Sequence, residues 1–90
     1  MTGPVIRLSD HARSEIARRG LEEAMAVRVA SAPEQVIPVR EGREVRQSRV
    51  DFFPGARAYL VRVVVDMDCE GVTVVTAYRT SRVGKYWRKP

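Results

Sequence analysis

The sequence predicts an α+β fold: two N-terminal helices packed on one face of a four-stranded antiparallel meander. Three observations carry that prediction. Helix-start and helix-stop residues are gathered before Pro33, with Ser9 and Gly20 bracketing one helical stretch and Glu22-Glu23 opening a second. After Pro33 the chain breaks into β-rich runs separated by turn formers at Glu41-Gly42, Pro54-Gly55 and residues 67–71. Ninety residues, 44% of them hydrophobic, leave room for one core, so residues 1–90 are expected to form a single domain.

Taken in order, residues 4–8 are short and apolar and read as a lead-in strand or an extended arm. Ser9 suits an N-cap, because its hydroxyl can accept from a first-turn amide, and Asp10 suits the positive end of the helix dipole. A helix is expected over 10–19, with Ala12 and Ile16 inward and Gly20 taking the left-handed position that ends it. His11, Glu15 and Arg18 share a neighbouring stripe at helical spacing. A second helix over 22–30 offers Leu21, Met25 and Val29 for burial and stops before Pro33.

A strand over 35–40 contains Pro38, which cannot donate to a ladder and so marks an edge. A long polar strand over 43–53 repeats arginine at Arg43, Arg46 and Arg49. The strand over 59–66 sets Val61, Val63 and Val65 on one face and Leu60, Arg62 and Val64 on the other. The last strand starts in the β-branched run at Val72, which suits a pleated surface. With both helices on one face, the other is expected to be open and made basic by the second strand. Register decides which of Arg46 and Arg49 points there, and both assignments stay open.

The net charge of +5 and pI near 10.1 favour a phosphate-rich or acidic partner. A single cysteine, Cys69, excludes an internal disulfide, and with a single histidine it excludes a histidine/cysteine zinc cage. No compact acidic cluster suggests a carboxylate-bound cation, so no metal or cofactor is expected. The opening residues lack the apolar core of a signal peptide and no run approaches membrane-spanning length, so a soluble cytoplasmic domain is expected.

From Tyr78 onward the chain carries Arg79, Arg82, Lys85, Tyr86, Trp87, Arg88 and Lys89 with no acidic residue. Cations attract phosphates and aromatic rings stack on bases, so this tail has the composition of an RNA-contacting surface. The same composition fits a strand that has reached water, with Tyr86 and Trp87 folding back over the end of the core.

Both ends of the chain carry a pattern. L-S-D-H-A-R-(x)5-R-G-L at the start and V-V-T-A-Y-R-T-S-(x)3-K-Y-W at the end together resemble a small bacterial domain family of unknown function. That family is similar in layout to the barnase–EndoU–colicin–RelE-like group of metal-independent ribonucleases and toxins. The resemblance implies a RelE-like arrangement and a toxin-like endoribonuclease or RNA-binding activity, with RNA and a protein antitoxin as partners. Carried over by position, it marks His11 in the first helix and Arg79, Thr80 and Ser81 after the last strand. One departure matters: with a single histidine, a two-histidine acid–base pair is impossible here.

Metal-free RNA cleavage needs a group to take the 2′-OH proton, a cation to stabilise the phosphorane and a donor to the leaving oxygen. The candidate catalytic residues are His11, Glu15 and Arg79, with His11 or Glu15 moving a proton and Arg79 clasping phosphate, together with Thr80, which the resemblance marks. The candidate nucleic-acid-binding residues are Arg46, Arg62, Tyr78, Ser81, Lys85, Tyr86 and Trp87. His11, Arg79 and a tyrosine rim from Tyr78 or Tyr86 are expected to converge on one cleft. Each residue also has a plain structural use, such as Glu15 pairing with Arg18 or Arg19, or Trp87 anchoring the tail. Three classes fit: a toxin-type ribonuclease, a non-catalytic nucleic-acid-binding module, and a protein-interaction module built on the valine-rich strands and the proline-bearing edge. The first is preferred.

Overall fold

A computed structural model describes residues 5–55 and 57–89 of the chain. In it the Ser9 hydroxyl accepts from the Ala12 amide at 3.0 Å and opens α1 (Asp10–Arg18). Gly20, at φ +71°, ends that helical segment in the left-handed conformation that glycine adopts without steric cost. The chain turns into α2 (Glu23–Ser31) and then runs through β2 (Gln35–Arg40), β3 (Arg43–Val50), β4 (Tyr59–Asp68) and β5 (Gly71–Thr80). A single-turn helix, α3 (Val83–Tyr86), follows.

The fold is α+β, and the antiparallel order β2-β3-β4-β5 is the expected meander. Four strands is too few, however. The lead-in segment forms β1 (Ile6–Leu8), which adds a fifth strand beside β5 in parallel register, Ile6 opposite Val72 and Leu8 opposite Val74. Pro4, where that lead-in was expected to begin, lies outside the described residues. The parallel direction lets the chain leave β1 and fold α1 straight back over β5, with Ser9 N–H donating to the Val74 carbonyl at 3.1 Å. Two boundaries also differ from expectation. β3 stops at Val50, short of Phe53, and β4 runs on to Asp68, so that Cys69 and Glu70 alone make the turn into β5.

Both helices cover one face. Ala12, Ile16, Ala26, Val29 and Ala30 pack there against Val61, Val63, Val65, Val74 and Ala77. Alanines at the contact allow close approach, and each fully buried valine contributes roughly 1.5–3 kcal/mol. The spacing from Val74 to Ala77 is odd for a strand. A β-bulge explains it: Val64 pairs with Thr76 while Val65 pairs with Val74, leaving Val75 without a partner in the ladder. The bulge reverses the alternation, so Ala77 and Arg79 share the helix face with Val74, and Tyr78 and Thr80 point the other way.

The second face was expected to be open. It is covered instead: the segment after β5 returns across the sheet, and its backbone is held at the far side by Gln35 of β2. Leu60 and Gln47 on that face are fully buried.

Candidate nucleic-acid interface

The tail is clasped by two glutamines. Gln47 of β3 donates from Nε2 to Gln35 Oε1 at 2.8 Å and to the Tyr86 carbonyl at 3.2 Å, and its Oε1 accepts from Arg62 Nε at 2.9 Å. Gln35 in turn donates to the Arg88 carbonyl and accepts from the Arg88 amide. A buried amide needs partners for donor and acceptor alike, and the returning chain supplies one of them. Two arginines of the sheet meet the tail's rings: Arg62 lies 4.2 Å from the Tyr86 centroid and Arg49 4.2 Å from that of Trp87. Arg62 Nη1 also donates to the Tyr78 hydroxyl at 2.6 Å, and Lys85 Nζ lies 5.2 Å from the Tyr86 ring.

Arg79 belongs to the other face. Its guanidinium stands 4.9 Å from the centroid of Phe52 and 5.7 Å from that of Tyr59, two rings that meet edge to face. Successive residues of a strand point to opposite faces, so Arg79 is separated from the Tyr78–Arg62–Tyr86 group by the sheet itself. Thr80 Oγ1 accepts from the Arg82 amide at 3.1 Å, shaping the exit from β5, and Ser81 is exposed.

His11 sits on α1 with 73% of its side chain exposed and Nε2 3.9 Å from Glu15 Oε1. Glu15 is already engaged by Arg18 and Arg19. The hydrogen bond from Arg18 holds its carboxyl below the usual carboxylate range, with Arg19 acting in the same direction, so Glu15 is a poor proton acceptor at neutral pH. Arg19 Nη1 also reaches Thr76 Oγ1 and the Ala77 carbonyl, satisfying the edge of β5 beyond the end of β1. No partner is shared between His11 and Arg79 among the described residues.

Arg46, whose face the sequence left open, turns toward the helices. It donates to the Ala30 carbonyl at the end of α2 and to Glu44, both at 2.7 Å. Arg49 takes the second face and pairs with Glu34. Seven arginines (Arg7, Arg13, Arg18, Arg19, Arg43, Arg46 and Arg49) have carboxylate partners. Arg28, Arg40, Arg57 and Arg62 have none among the described residues, and neither does any of Arg79, Arg82, Lys85, Arg88 and Lys89. The charge count sets the last five apart. Up to Tyr78 the chain has eleven basic and eleven acidic residues, so the whole excess of +5 lies from Arg79 onward.

Two adjoining hollows of about 290 and 300 Å³ lie between α2 and the end of β3, sharing Met25, Arg28, Val50 and Asp51. Phe52 lines the first, and none of the candidate catalytic or nucleic-acid-binding residues lines either. Among the described residues no three His, Cys, Asp or Glu side chains gather, and no helix is long and apolar enough to cross a membrane. Sequence reasoning missed Gln35, Gln47, Phe52 and Tyr59. The adjacent aromatic pair Phe52-Phe53 beside Pro54-Gly55 was the one local signal, and nothing local marks Gln47 as buried. Comparisons with protein-family models, with curated proteins and with solved structures found no match to this chain.

Proposed function

We propose that this domain acts on RNA, as a toxin-like, metal-independent endoribonuclease or RNA-binding domain. The observation that carries the reading is the segregation of charge. Five cations from Arg79 to Lys89 hold the entire net charge and, among the described residues, have no carboxylate partner. A polyanion would neutralise what the fold leaves unneutralised. In the catalytic form of this reading, Arg79 clasps the phosphate and His11, exposed on α1, moves the proton. Glu15, held as an anion, orients the imidazole rather than acting as the base.

Anisotropy of a labelled single-stranded RNA tests the binding. If all five cations meet phosphates, log K falls with log salt at a slope of about −3.5, so a fourfold rise in salt weakens binding by about 100-fold. Replacing Lys85, Arg88 and Lys89 with alanine should flatten that slope by about 2. Cleavage is tested in the presence of a chelator: RNA should be cut to a 2′,3′-cyclic phosphate, DNA should survive, and His11→Ala and Arg79→Ala should each abolish cutting with circular dichroism unchanged. A flat salt response would end this reading. It would leave the second one, a protein-interaction module and one half of a toxin–antitoxin-like pair, which the 48% and 55% exposure of Val36 and Val39 on the edge strand β2 favours.

A further inference from the structure

Phe52 belongs to two features at once. Its ring carries the Arg79 guanidinium, and it also lines the hollow of about 290 Å³ beside α2. Arg79 is exposed, and its guanidinium, beside two rings, makes no hydrogen bond among the described residues, so its donors are free to face an anion. The hollow is different in kind. Met25, Val50 and Phe52 give it an apolar lining, while Arg28, Asp51 and Glu22 supply donors and acceptors of both signs. Two carboxylates repel a phosphate but can accept from the amino and imino groups of a flat, uncharged heterocycle. The volume lies at the small end of ligand pockets, which suits one base rather than a larger ligand.

We propose that this corner is a nucleotide subsite for single-stranded RNA, with one base seated in the Met25–Phe52 hollow and its phosphate on Arg79. The proposal rests on the RNA reading above and places one point of contact on the helix-bearing face, away from the tail cations. It also gives Phe52 and Tyr59 a role as positioning residues, since their rings are the aromatic neighbours of the Arg79 guanidinium.

Methionine methyl NMR on the full chain separates the possibilities, because Met25 lines the hollow while Met67 lies at the opposite end of β4, with Arg46 Nη2 3.6 Å from its sulfur. A short single-stranded RNA added at low salt is expected to shift the Met25 methyl signal and leave that of Met67 in place. Arg79→Ala should weaken RNA binding by about tenfold, the scale of one charge-assisted bidentate contact, and Arg79→Lys should restore only part of it. RNA that raises anisotropy while the Met25 methyl stays still, with affinity lost only on replacing Lys85, Arg88 and Lys89, would overturn the subsite and leave the RNA reading standing. Absence of any RNA binding at low salt would overturn both.

Discussion

Gln47→Ala probes the clasp that holds the tail on the sheet. Gln47 is fully buried and makes three hydrogen bonds, at 2.8 Å to Gln35, 3.2 Å to the Tyr86 carbonyl and 2.9 Å from the Arg62 guanidinium. Each neutral bond contributes about 1 kcal/mol net, the charged one more, and truncation leaves the Tyr86 carbonyl without this donor; the expected loss is about 3 kcal/mol. For a domain of this length that lowers Tm by roughly 12–24 °C. Urea unfolding followed by circular dichroism reads the global loss. Trp87, the one tryptophan, reads the tail, because its ring leaves Arg49 when the clasp opens. Trypsin should then cut faster at Lys85 and Arg88. A loss below about 1 kcal/mol with Trp87 emission and trypsin cutting unchanged would refute the claim that Gln47 secures the tail.

Gly71→Ala should cost about 1–3 kcal/mol, because φ there is +136° and an added Cβ would stand 2.8 Å from the Val5 carbonyl oxygen, forcing β1 away from β5; chemical denaturation measures it. Glu34 should give acid sensitivity. Hydrogen bonds from the Arg49 side chain and then its backbone hold its carboxyl below the usual range, so its contribution is present at neutral pH and is lost as pH falls past the ordinary glutamate range and through that lowered value. Thermal melts of wild type and Glu34→Gln should therefore converge as pH falls below the ordinary glutamate range, and a gap that stays constant with pH would contradict this.

Local chemistry was legible where it acts over a few residues. Ser9 as a cap, Gly20 as a stop, Pro38 on an edge strand and the Gln35–Arg40 and Arg43 boundaries all follow from what one residue can donate, accept or adopt sterically. The acid-free tail was equally legible as a source of net charge. The site depends on something else, namely which face each strand residue presents. One bulge at Val75 decides that Arg79 meets Phe52 and Tyr59 on the helix face while Tyr78 meets Arg62 on the other. A shift of one residue would exchange them, and short-range propensity barely distinguishes the two registers. The parallel docking of β1, the turn of Arg46 toward Ala30 and the return of the tail to Gln35 and Gln47 are of the same kind. Each joins residues far apart in the chain, and each is settled by burial and hydrogen-bond partners that exist only once the sheet has formed.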